Sequence, residues 1–227
     1  AYGAWTSPWT AEQISSSVVR LGQPTIDAGC IYWLESRPAE GGRTVVVSRT
    51  EAGTIYDVTP PGFNVRTRVH EYGGGAYIVQ DGVIYFSNYA DNGIWKQVLG
   101  EEPELVIAQA NCRFADFELD KKAKRLLVVK EEHAEGAEPI NSLDYVMLDG
   151  SGRSEPLLMG SDFFSSPRLS PSGKLLSWIS WNHPNMPCDE STLWTANMGS
   201  DGSLANIQKL AGGQGESVFQ PCWSDNG

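Results

Sequence analysis

FSSPRLSPSGKLLSWIS, residues 164–180, recurs in shortened form as VFQPCWSDNG, residues 218–227. Pro167 aligns with Pro221 and Gly173 with Gly227, and both pairs are 54 residues apart. A fixed period near fifty residues marks a repeat architecture. The second copy halts at the turn, Asn226 and Gly227, after which the first copy runs on into an apolar segment. The chain is therefore expected to stop inside a structural unit.

Three weaker copies lie upstream. They are QPTIDAGCIYWLES from Gln23, GAYIVQDGVIYFSN from Gly75 and FADFELDKKAKRLLVVK from Phe114, where a charged turn replaces the glycine. Behind each copy comes a second pair of β-rich runs: TVVVSR with TIYDVT, GIWKQV with ELVIA, SLDYVML with EPLLMG, and TLWTANM with IQKLAG. The runs are rich in Val, Ile, Tyr, Trp and Thr, and sets such as GEEPE and DGSGR separate them. Each repeat thus reads as four short antiparallel strands, which is a propeller blade. The expected fold is an all-β propeller of four-stranded blades starting near residues 23, 75, 114 and 164. An incomplete fifth begins at 218. A β-sandwich also uses short strands, but gives no reason for one string to recur at a constant offset. An incomplete ring leaves its terminal blades without neighbours, so an open arc or a gap filled by a partner is expected.

Residues 1–22 form a segment ahead of the propeller, which occupies 23–227. In the first segment Thr10 and Gln13 form a capping-box pattern, and Ile14, Val18 and Leu21 follow at helical spacing. One short amphipathic helix is predicted, with Ser15, Ser16 and Ser17 facing solvent.

Composition is that of a soluble globular chain, 41% hydrophobic and 20% charged. No apolar run approaches the ~20 residues that span a membrane, and the opening residues lack a signal-peptide pattern. The net charge of −11 and the lack of a basic stripe argue against nucleic acid as a partner. KKAKR, residues 121–125, reads as a solvated turn. Cys30, Cys112, Cys188 and Cys222 have no zinc or dithiol spacing. Cys30 and Cys222 sit in strand-like runs and read as core residues, which favours a cytoplasmic location. An organellar location or a processed start stays open.

Catalytic motifs are missing. GxSxG does not occur, and Gly215 to Phe219 reads as a loop leading into a blade. Gly73, Gly74 and Gly75 fit no phosphate loop. No cofactor is expected, and no metal, because His70, His133 and His183 are isolated from one another in sequence. Asp116, Glu118 and Asp120 alternate on one strand face above Phe117 and Leu119, and read as a solvated edge rather than a cation site. Residues 131–139, EEHAEGAEP, read as an exposed loop.

Two segments exceed what blade building requires. In RTRVHEYGGGAY, residues 66–77, alternation puts Arg66, Arg68 and His70 on one face beside Glu71, and the glycines permit unusual backbone angles or close approach. In SWNHPNMPCDES, residues 180–191, Trp181, Asn182 and His183 occupy a connection longer than the usual hairpin loop. These seven residues are the candidates for a substrate- or domain-facing surface. An ion-paired loop and a blade-capping Trp are the structural alternatives.

HEYGGGAY, RFADFELD, SPRLSPSGK, SWNHPNMP and GESVFQPCWSDNG, in this order, resemble the amino-terminal propeller of prolyl oligopeptidase family serine peptidases, in the dipeptidyl or acylaminoacyl-peptidase branch. The SPxGK turn by itself is shared with TolB-like propellers. The resemblance implies a parent that hydrolyses peptides, with a carboxy-terminal α/β-hydrolase domain and a peptide substrate as partners. It also implies that this part gates access and is inactive alone, and no catalytic residue carries over. A non-enzymatic TolB-like interaction module is the alternative, and oligomerisation stays open.

Overall fold

A computed structural model describes residues 3–16, 18–199 and 201–226. Ser17 and Gly227, named above, lie outside the described residues. After a short helix α1 (Ala11–Ser16), four antiparallel sheets follow in chain order, each a meander of four consecutive strands. The first holds β1 (Arg20–Asp27), β2 (Cys30–Arg37), β3 (Arg43–Arg49) and β4 (Ile55–Asp57). The second holds β5 (Tyr77–Gln80), β6 (Val83–Ser87), β7 (Ile94–Val98) and β8 (Glu104–Ile107). The third holds β9 (Cys112–Asp120), β10 (Arg125–Glu132), β11 (Ile140–Met147) and β12 (Ser154–Leu158). The fourth holds β13 (Phe163–Leu169), β14 (Leu175–Trp181), β15 (Thr192–Met198) and β16 (Leu204–Gly212). These are the propeller blades that the repeat predicts.

Local chemistry sets the hairpins. Gln80 pairs with Val83, leaving Asp81 and Gly82 as a two-residue loop. Both have positive φ, 53° and 72°, the left-handed pair that twists in step with its strands and favours Asp-Gly. The core lies between sheets. On β10, Leu126 and Val128 pack toward the second sheet with Tyr85 and Ile94, while Leu127 and Val129 pack toward the fourth with Phe164 and Trp178. Burial on both faces explains why this strand reads as a continuous apolar run rather than an alternation.

Strand contacts between sheets run β1 to β5, β5 to β9 and β9 to β13. No contact of comparable extent joins the first sheet to the fourth among the described residues. Leu21 and Ile26 of β1 are 70% and 73% exposed, and Ile207 and Leu210 of β16 are 47% and 55% exposed. The two terminal faces are thus apolar and open.

The capping box forms: Gln13 N–H donates to Thr10 Oγ1 at 3.1 Å, and Thr10 N–H to Gln13 Oε1 at 2.9 Å. The helix is nevertheless shorter than its apolar spacing predicts. Leu21 pairs with Glu35 in the first sheet, so strand pairing takes the residues that helical periodicity would have claimed. Residues 218–225 contain no strand, yet they follow the blade pattern in one respect. Gln220 has φ 52°, repeating Ser166 with φ 53° one 54-residue period earlier. This segment lies beside the fourth sheet, where Trp223 Nε1 donates to Arg168 O at 2.9 Å.

Candidate functional site

The first strands β1, β5, β9 and β13, with Phe219 and Gln220, surround a central cavity of about 770 Å³. A backbone irregularity recurs along its wall. The ladder slips at Gln23 in β1, at Asp116 in β9 and at Ser166 in β13, and all three have φ near +50°. A bulge re-aims the side chain it carries, here toward the neighbouring sheet. Gln23 Nε2 donates to Gly74 O, and its Oε1 accepts from Ala76 N–H, both at 3.0 Å. Asp116 joins three sheets: one carboxylate oxygen accepts from Gly75 N–H and the other from Ser166 N–H at 2.9 Å.

The three glycines have two different roles. Gly73 takes φ 89°, a conformation that suits glycine. A Cβ on Gly75 would lie 2.8 Å from Asp116 Oδ1, and one on Gly74 would lie 3.0 Å from Ala115 Cβ. Their bare backbone lets the third sheet approach.

The alternating acids are not a solvated edge, because Asp116 and Glu118 both meet backbone N–H groups of β13 in the neighbouring sheet. Glu118 accepts from Leu169 N–H at 3.1 Å. Burial pushes its carboxyl up, against that hydrogen bond and the Arg168 guanidinium 4.0 Å away. Asp120 is buried and pairs with Arg125 at 3.0 Å. Arg125 itself is only 5% exposed, so the basic run is solvated at Lys121 and Lys122 and closes as a buried ion pair.

At one end of the cavity the structure unites the two segments that the sequence singles out. Arg66 and Arg68 both lie over the Tyr89 ring, at 4.9 and 5.1 Å. His70 leaves their face because it and Glu71 adopt φ 57° and 63°. The His70 ring meets Trp181 at 5.3 Å and Phe163 at 5.2 Å, both edge-on. Phe163 stacks on Trp181 and meets His183 at 4.9 Å. Burial pushes the His70 imidazole down, with Glu131 and Asp116 opposing. Asn182 Oδ1 accepts from Asp162 N–H at 2.7 Å and fixes the loop after β14.

Glu131 anchors this end. It is 2% exposed, not part of an exposed loop, and it accepts from His70 N–H at 2.6 Å, Arg113 at 3.1 Å and His133 at 2.6 Å. Arg113 also binds Glu71 at 2.6 Å and holds its carboxyl below the usual range. Among the described residues, Glu71, Glu131 and His133 bring ligand atoms within 4.8 Å of one another. The Arg113 guanidinium already fills the cationic role there, so the group does not fit a metal. Sequence reasoning missed Glu131, which shares a face of β10 with Leu127 and Val129, because both faces of that strand are apolar and parity does not single it out. Arg113 and Phe163 carried no signal of their own. Cys222 is exposed, contrary to its reading as a core residue, while Cys112 is buried and Cys30 lies against the core.

No protein-family model and no curated protein matches the chain. Solved structures do. A puromycin-hydrolyzing peptidase of Mycobacterium tuberculosis is 31% identical over 99% of this chain, with a TM-score of 0.87. A mutant puromycin hydrolase complexed with PGG is 29% identical over the whole chain, with a TM-score of 0.90. TolB from Acinetobacter baumannii, 13% identical with a TM-score of 0.58, shares the fold alone. The chain spans 37% of the length of each of the two hydrolases. Over its described length it resembles the amino-terminal propeller of prolyl oligopeptidase family serine peptidases, with no counterpart of their catalytic domain among these residues.

Proposed function

We propose that this propeller is the substrate-gating part of a serine peptidase that hydrolyses short peptides or aminoacyl compounds such as puromycin. The observation that carries the reading is the likeness of essentially this whole chain to two puromycin hydrolases, of which it spans 37%, with a cavity lined by the inner strands. The TolB-like alternative rests on a much weaker likeness. In this reading the triad belongs to an α/β-hydrolase domain outside these residues, and peptides reach it through the cavity. A cavity of this volume is large enough for a small ligand or a few residues of peptide. The mouth cluster of His70, Trp181 and His183 faces substrate or the hydrolase domain, while Arg66, Arg68, Glu71 and Asn182 support its loops. The test is substrate selectivity in the whole parent. Ser165, on the cavity wall, is changed to Trp, and hydrolysis of puromycin and of longer peptides is compared with that of the wild type.

A further inference from the structure

A second cavity, of about 230 Å³, lies in the fourth sheet beside the first, and Trp181 borders both. It is smaller than the roughly 300–1,000 Å³ of drug-sized pockets, so it suits a single side-chain group. Its lining includes Trp181 and Trp194 together with Glu190, Asn185 and His183. No Lys or Arg borders it. Glu190 forms no ion pair among the described residues, and the one hydrogen bond it accepts from a side chain is a long one, 3.4 Å from Asn185 Nδ2.

Trp194 is held in place by donating its indole N–H to Ser180 Oγ at 3.0 Å. On its other side Trp181 is held by stacking on Phe163 at 5.3 Å. Trp181 is only 5% exposed and backs the pocket, so the half-buried Trp194 ring, beside a carboxylate that no cation among the described residues pairs with, is what favours a planar organic cation. A guanidinium does this better than an ammonium, since it stacks on rings while donating in-plane hydrogen bonds to carboxylate and amide oxygens. The chain's net charge of −11 attracts such a group from a distance.

We propose that this pocket binds the guanidinium group of an arginine side chain carried by a peptide. It adjoins the central cavity, sharing Trp181 with it, and does not depend on whether the parent is a peptidase. The probe is agmatine, followed through the Trp194 indole N–H resonance, which Trp194→Phe identifies. Saturable binding is expected, and Glu190→Gln weakens it about tenfold or more. Glu190→Asp keeps part of it, and circular dichroism verifies the fold of each variant. Butylamine binds more weakly than agmatine. An end-blocked tripeptide with a central Arg binds at least as well as agmatine, whereas its citrulline counterpart does not bind. Agmatine binding that is unchanged in a folded Glu190→Gln variant overturns the proposal, as does an absence of saturation with either guanidinium probe. Agmatine bound while the Arg peptide is refused overturns its peptide part.

Discussion

Replacing Asp116 tests whether one carboxylate joins three sheets. Asp116→Asn is the cleaner change, because Asn tolerates the left-handed backbone that Asp116 adopts at φ 54°. It leaves one acceptor oxygen for two backbone donors, Gly75 N–H and Ser166 N–H. A hydrogen bond to a charged group contributes about 1.5–3 kcal/mol, and the low end applies beside a water-accessible cavity. The expected loss is therefore about 1.5 kcal/mol. Asp116→Ala strands both donors and adds backbone strain, so about 3 kcal/mol or more is expected. For a chain of this size that lowers Tm by roughly 6–12 °C. Urea unfolding measures the difference, with Asp149→Ala as control, since Asp149 only caps Ser151 N–H in an exposed turn. The reasoning is refuted if Asp116→Ala lies within about 0.5 kcal/mol of wild type, the scatter of ordinary surface changes.

Gly75→Ala puts a Cβ 2.8 Å from Asp116 Oδ1 and 3.4 Å from Asp116 Cα. It should cost about 1–3 kcal/mol, and less in the Asp116→Ala background, where a double-mutant cycle reads the coupling. His70 titrates below its ordinary value of about 6.5 because it is buried. Between its folded and unfolded values the unfolded chain binds the extra proton, so the His70 contribution to stability falls as pH drops through that region and levels off below it. His70→Phe should flatten this part of the stability profile between pH 7 and 5. An unchanged slope in a folded variant contradicts the assignment.

The fold was legible because its determinants are local and repeated. Turn residues such as Asp81 and Gly82 recur between β-rich runs, and each copy of the 50-residue period reinforces the others. The helix was half legible, since Thr10 and Gln13 form their cap while the Leu21 periodicity loses to strand pairing. The site was harder to read. Alternation marks which residues share a face but not whether a neighbouring sheet covers it, and β13 covers the face that Asp116 and Glu118 share. His70 escaped because its positive φ turns it from Arg66 and Arg68 toward Trp181. Glu131 could not be placed by parity, because Leu126 and Val128 are buried on the opposite face as Leu127 and Val129 are on its own. Its partner Arg113 comes from the adjacent strand, and nothing local announces that pairing.

The central claim is that the cavity gates substrate for a catalytic domain. The direct measurement is kcat/KM of the whole parent for puromycin and for a longer peptide, in wild type and in the Ser165→Trp variant. Gating predicts that the longer peptide loses about tenfold or more while puromycin changes by less than about twofold. Equal values for wild type and variant on both substrates would contradict gating. A parent that hydrolyses neither, in a folded state, would contradict the peptidase reading itself.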